Sequence, residues 1–214
     1  LEDLGDISHE GILRRFEALG RSIRRELDGM TPGKRHASYE AMATHSSDMV
    51  RAFAAYSLMA DHELTLPKRF DATRRFAADS NMSVREVAWS TLRPFIARNL
   101  NRSFKLFKNW VIHPDPNIRR CAVEATRPRG VWCAHLADLK NDPAPGLPLL
   151  EKVKSDPSRY VQTAAANWLN DASKDHPDWV RDVCARWLEQ SPTRETRWLT
   201  NHALRTIKKE ERRS

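Results

Sequence analysis

The sequence predicts an all-α fold, a superhelix of stacked helix pairs, and three observations lead there. Glycine is scarce, with seven in 214 residues, and no stretch alternates apolar and polar residues for long enough to make a sheet. Ala, Leu, Arg and Trp recur instead at helical spacing. Four segments also align with one another: His45 to Arg51, Asp79 to Arg85, His113 to Arg119 and Asp156 to Gln162. Each reads as a turn, an N-cap and the start of a helix. A polar capping residue (Ser47, Asn81, Asp115, Ser158) stands three positions before a β-branched anchor (Val50, Val84, Ile118, Val161), and an alanine (Ala54, Ala88, Ala122, Ala165) stands four positions after it.

The anchors are separated by 34 residues from Val50 to Val84, 34 from Val84 to Ile118 and 43 from Ile118 to Val161. That period is expected of helix-pair repeats, which stack into an α-solenoid. The alanine after each anchor permits close helix packing. A weaker fifth unit follows, with Leu199 and Ala203 in the equivalent places. Connectors such as Pro143-Ala-Pro-Gly146 are too short to link domains, so residues 1–214 are expected to form a single domain. The basic tail from Lys208 to Arg213 reads as a frayed end. Leu1 is not a start residue, and further sequence is expected upstream of it.

Apolar residues make up 40% of the chain, enough for a real core. Lys and Arg number 36 against 28 Asp and Glu, a formal net charge of +8, which points to a polyanionic partner such as nucleic acid or, less often, an anionic membrane. The absence of a long apolar run excludes a membrane helix, and the chain is expected to be a cytoplasmic monomer. Three widely spaced cysteines, Cys121, Cys133 and Cys184, suit free thiols better than a disulfide framework. Cys133 and His135 lack a second ligand pair, so no metal site is expected.

Counted at about 100° per residue, positions 0, +4 and +7 from each anchor form the core stripe, and +2, +6 and +9 lie on the other side. Glu86 falls at +2, Glu124 and Asn167 at +6, Arg93 and Arg127 at +9, and Asp171 at +10 near the edge of the same stripe. Exposed Glu and Arg on a helix usually make surface pairs of little consequence. Carboxylates inside a basic DNA-facing groove cost affinity, however, and so need a purpose. Among the seven tryptophans, Trp110, Trp179 and Trp187 fit packing. Trp89 fits either role. Trp132 falls in an interhelical turn and Trp168 adjoins Asn167; an aromatic face near carboxylates can hold a positively charged base, although periodicity favours packing for Trp168.

Three runs then carry a family resemblance: Arg85 to Pro94, Glu124 to Trp132, and, most specifically, Tyr160 to Pro177. With Thr196 to Thr206 they resemble the AlkC branch of the bacterial AlkC/AlkD alkylpurine DNA glycosylases over nearly the whole chain. No C-terminal immunoglobulin-like domain of the kind some relatives carry is expected within these 214 residues. It implies a HEAT-like superhelix that binds double-stranded DNA and removes N3- and N7-alkylated bases without metal, cofactor or lysine nucleophile. By that resemblance Glu86, Glu124 and Asp171 are the catalytic acids. The resemblance also matches Trp132 to an aromatic that lines the lesion and Arg120 to a DNA-contacting arginine, while Trp168, Asn167 and Trp89 are expected beside the lesion and Arg127, Arg93 and Arg85 on DNA. Gln162 stands where the family more often has arginine after Tyr-Val.

An alkylated purine of this type already carries positive charge, so its glycosidic bond breaks without protonation toward an oxocarbenium-like sugar. Carboxylates near C1′ would stabilise that cation and position water. The expected substrates are 3-methyladenine and 7-methylguanine, with 3-methylcytosine a further candidate, and the resemblance implies little or no base flipping. The rival readings are a non-catalytic HEAT-like scaffold and a DNA-binding module without activity.

Overall fold

The computed structural model describes residues 11–131 and 133–213. Among these there is no strand, and the chain runs through thirteen α-helices. It divides between Leu92 and Arg93 into two compact units. The first contains α1 (Ile12–Asp28), α2 (Pro32–Ala43), α3 (Asp48–Met59), α4 (Leu66–Ala77) and the start of α5 (Met82–Arg98). The second holds the end of α5, then α6 (Leu100–Phe107), α7 (Pro116–Ala125), α8 (Ala137–Asn141), α9 (Leu147–Leu150), α10 (Arg159–Ala172), α11 (Pro177–Gln190), α12 (Arg194–Ala203) and α13 (Arg205–Glu211). The division falls one residue before Pro94, which lies inside α5 and removes an i→i−4 hydrogen bond there.

The helical repeat is as the spacing predicts. Val50, Val84, Ile118 and Val161 each occupy the third residue of their helices, α3, α5, α7 and α10. The alanines four positions on, with Ala203 in α12, are all 0% exposed. A larger side chain there would hold neighbouring helices apart. In the first unit α3 packs against α1, α2 and α4; in the second, α10 packs between α7 and α12 and beside α11. The longer third spacing is taken up by α8, a 3-10 turn at Ala144–Gly146 and α9, where Pro143, Pro145 and Pro148 prevent one continuous helix. Gly146 is required at that turn, because a Cβ would stand 2.4 Å from Trp168 Cζ2.

The four predicted N-caps divide into two kinds. Asn81 and Asp115 accept from the backbone N–H two residues on, at 2.7 and 2.8 Å. Ser47 and Ser158 make no such bond; their own N–H groups donate to His45 Nδ1 and Asp156 Oδ1.

The residue directly after each anchor closes the turn that precedes its helix. Arg51 donates to the carbonyls of His45 and Ser46, Arg85 to those of Asp79 and Ser80, and Arg119 to those of His113 and Pro114. Gln162 repeats the bond to Asp156 O at 2.7 Å. Arg51 and Arg119 also reach the next turn, each pairing through Nε at 2.7 Å with Asp79 and Asp156 respectively. The Asp79 carboxylate bond holds the Arg51 guanidinium above its ordinary value, and the Asp156 bond does the same for Arg119. Arg85, expected on DNA, is thus a turn clamp whose Nη1 is engaged at 2.6 Å by its own loop.

Candidate active site

The second unit brings two acids together at the ends of adjacent helices. Glu124 is the penultimate residue of α7 and Asp171 that of α10, and both are 4% exposed. Two buried carboxylates need compensating cations. Arg127, just beyond the end of α7, supplies the nearest: its Nη1 donates to Glu124 Oε2 at 3.1 Å and its Nε to Asp171 Oδ2 at 2.9 Å. Burial works against the charge of Arg127, but Glu124 and Asp171 together hold its guanidinium above the ordinary value. Arg120, one turn before Glu124, stands 3.6 Å from Oε1, and Lys174 stands 3.8 Å from Asp171 Oδ1.

The turn that carries Arg127 is itself fixed. A helix ends with unsatisfied carbonyls, and here three consecutive ones receive buried donors. Arg93 Nη1 donates to Ala125 O at 3.2 Å and Arg127 O at 2.9 Å, while Trp168 Nε1 donates to Thr126 O at 2.8 Å. Arg93 Nη2 continues to Ala134 O at 2.8 Å, and Gly130 admits it, since a Cβ there would meet Cys133 Sγ at 2.2 Å and Arg93 Cζ at 3.1 Å.

These contacts correct several expectations. Arg93 is 2% exposed and caps a helix end, so it does not present a cation to phosphate. Burial pushes its guanidinium below the ordinary value. Trp168 is fully buried and tilts against Trp179 at 6.4 Å between centroids; it is core, not a face for the lesion. Trp89 is likewise buried, in the first unit. Arg127 was expected on the DNA backbone, yet it is occupied by two carboxylates. Glu86 lies on the first unit's part of α5 and is half-buried. Trp132 lies outside the described residues.

Asn167 does face outward, and Arg205 Nη2 donates to its Oδ1 at 2.9 Å. Glu124, Asn167 and Arg205 are all at +6 from their anchors Ile118, Val161 and Leu199. Arg205 was missed because the fifth repeat is weak; extending the same count to it would have found the residue. Lys174 falls past the end of α10, where helical counting carries no information.

Stacked helix pairs, with two buried carboxylates sharing one guanidinium in the second unit, define an α-helical repeat protein. A family model for DNA alkylation repair enzymes matches residues 51–207, and the chain belongs to that family. It is similar to the alkylpurine DNA glycosylase AlkC of Pseudomonas fluorescens, solved bound to DNA containing an abasic site analog. That likeness has a TM-score of 0.79 at 25% identity, over 94% of this chain and 54% of AlkC. AlkD2 of Streptococcus mutans shares the fold, with a TM-score of 0.69 at 18% identity over 95% of this chain and 96% of AlkD2. The protein YhaZ of Bacillus subtilis (strain 168), itself uncharacterized, is 40% identical over 118 residues, 55% of this chain and 32% of YhaZ. The matched regions therefore cover about half the length of AlkC and a third of that of YhaZ. No helix among the described residues is long and apolar enough to cross a membrane.

Proposed function

We propose that this protein is a monofunctional DNA glycosylase that removes cationic alkylated bases from duplex DNA. The observation that carries the reading is the buried pair Glu124 and Asp171, held on adjacent helices by the shared guanidinium of Arg127. Membership in a DNA alkylation repair family and similarity to AlkC support it.

In this reading the lesion is 3-methyladenine, 7-methylguanine or 3-methylcytosine, each already a cation. The C1′–N bond breaks with its electron pair going to the base, which leaves neutral and needs no proton. Positive charge passes to the sugar, where Asp171 and Glu124 stabilise it. Water adds to C1′, and one carboxylate takes the proton that this water loses. Arg127 fixes the spacing of the two acids, so that little reorganisation accompanies the reaction. The family resemblance also offers Glu86 as an acid and Trp132 as an aromatic residue for this chemistry.

The test is incubation with methylated duplex and identification of the released bases. Release by the wild type, lost in Glu124→Gln and Asp171→Asn, supports the reading. The pairing of both acids with cations also suits a DNA-binding module without catalysis; salt-sensitive duplex binding with no base release would select that alternative.

A further inference from the structure

Five arginines on the repeat helices and their turns, Arg51, Arg85, Arg93, Arg119 and Arg127, direct their guanidinium groups at carbonyls and carboxylates of the protein itself. The side chain that receives DNA phosphate has to be sought elsewhere, and Arg159 has the required geometry. It is the first residue of α10 and is exposed. Its guanidinium carbon lies 3.6 Å from the ring centroid of Trp198 on α12. One turn along α12, His202 stacks on the same indole at 5.0 Å between centroids and 12° between planes. Among the described residues, the N–H groups of Arg159 have no hydrogen-bond or ion-pair partner.

The arrangement repeats a device of the preceding helix pair. Arg120 on α7 lies over the ring of Tyr160 on α10, at 4.2 Å, and Tyr160 and Trp198 each stand one residue before an anchor, Val161 and Leu199. The two pairs differ in what else they touch. Arg120 also faces Glu124, whereas the charges that act on His202 in the Trp198 stack are positive: Arg205 and Arg159 both oppose its protonation. Beyond the stack, Asn201, Arg205, Lys208, Lys209, Arg212 and Arg213 line an open basic recess.

A guanidinium held flat on an aromatic ring keeps its edge donors directed outward, in the fork that matches two phosphate oxygens. The ring also removes rotamer freedom before any ligand arrives, so less entropy is lost on contact. We infer that Arg159, held on Trp198 and backed by His202, seats a backbone phosphodiester of duplex DNA on the flank of the reacting site. The inference rests on the DNA-binding part of the proposed function and adds a residue to it.

The experiment is equilibrium binding of an undamaged duplex across a salt series, paired with single-turnover excision at saturating lesion duplex. Arg159→Ala should weaken binding about tenfold and make the log–log salt slope shallower by about one, as removal of a single phosphate contact does. Arg159→Lys keeps charge but not the fork and should fall between the two. Trp198→Leu should weaken binding although it removes no charge; Trp198→Phe, which keeps a ring, guards against a simple loss of folding. Excision at saturation should be unchanged in every variant. Wild-type affinity and slope in Arg159→Ala would overturn the seat, and so would a loss of the saturated excision rate, which would place Arg159 among the reacting groups. A wild type that binds duplex with no dependence on salt would instead sink the DNA-binding reading itself.

Discussion

Arg127 donates through Nε to Asp171 Oδ2 at 2.9 Å, joining positions 44 apart in sequence, and the same guanidinium reaches Glu124. Replacing either acid by its amide keeps shape and removes charge. Glu124→Gln and Asp171→Asn should each slow single-turnover excision about a hundredfold or more, in the range for one preorganised electrostatic group. Duplex affinity should not fall, because an acid beside DNA repels phosphate. Arg127→Ala leaves two buried carboxylates without their shared cation and should lower stability by about 3–5 kcal/mol, read as a shift in the denaturant midpoint. If Arg127→Ala instead weakened plain-duplex binding at unchanged stability, its place between the acids would have no energetic meaning.

Arg93 should behave as a structural residue. Its donors satisfy carbonyls at Ala125, Arg127 and Ala134, and a charged hydrogen bond contributes about 1.5–3 kcal/mol. Arg93→Met should therefore cost about 2–4 kcal/mol in chemical denaturation. The salt slope of DNA binding should stay at its wild-type value; a shallower slope would return Arg93 to the DNA surface.

Trp168 and Gly146 form one packing contact, and it can be tested from both sides. Trp168→Phe leaves Thr126 O without its 2.8 Å donor and should cost about 1–3 kcal/mol. Gly146→Ala drives a methyl into the indole and should cost about 1–3 kcal/mol by overpacking. Combined, the two should destabilise by less than their sum, since the smaller ring makes room for the methyl. Strict additivity would argue against the contact.

His202 supplies a pH dependence with a definite sign. Burial first, and then Arg205 and Arg159, hold its pKa below the ordinary 6.5, so the native state favours the neutral ring. The corresponding stability is complete above that value and is lost as pH falls through 6.5 toward the folded pKa. His202→Gln should flatten this part of the stability curve. An unchanged curve between pH 7 and 5 would contradict it.

Substrate range follows from charge. Glu124 and Asp171 attract a cationic base and offer nothing evident to protonate a neutral one. Duplexes differing only in the lesion should therefore separate under single turnover: 3-methyladenine and 7-methylguanine released, ethenoadenine and uracil retained. Efficient release of a neutral, stably bonded base would require a general acid that this account lacks.

The repeat was legible because its signals are local. An anchor at the third helical position, an alanine one turn on and a turn before both are short-range constraints, and they located α3, α5, α7 and α10. The acids at the ends of α7 and α10 were legible by the same count. What failed was the partner of each arginine. Arg93 occupies a position that a helical wheel marks as outward, but whether a guanidinium meets solvent or a carbonyl there depends on turns that fold back from 30 or more positions away, as from Ala125 and Arg127 to Arg93. Trp168 was ambiguous for the same reason: its ring is covered by Gly146, in a turn no period predicts. The +1 position held an overlooked signal, since Arg51, Arg85 and Arg119 recur directly after the anchors and Gln162 stands in the fourth, a regularity that a turn imposes and a DNA sequence does not.

The arginine clamps separate the isoelectric point from affinity. The sequence pI near 9.7 counts every guanidinium alike, yet a counterion atmosphere responds only to those that reach it. Arg51, Arg85, Arg93 and Arg119 are part of the scaffold's internal wiring, so a homologue could exchange such positions for glutamine, as Gln162 already shows, becoming less basic on titration while, under the proposed function, losing no contact with phosphate. Two members of this family with very different isoelectric points can thus share one salt dependence, and basicity by itself ranks them in no useful order.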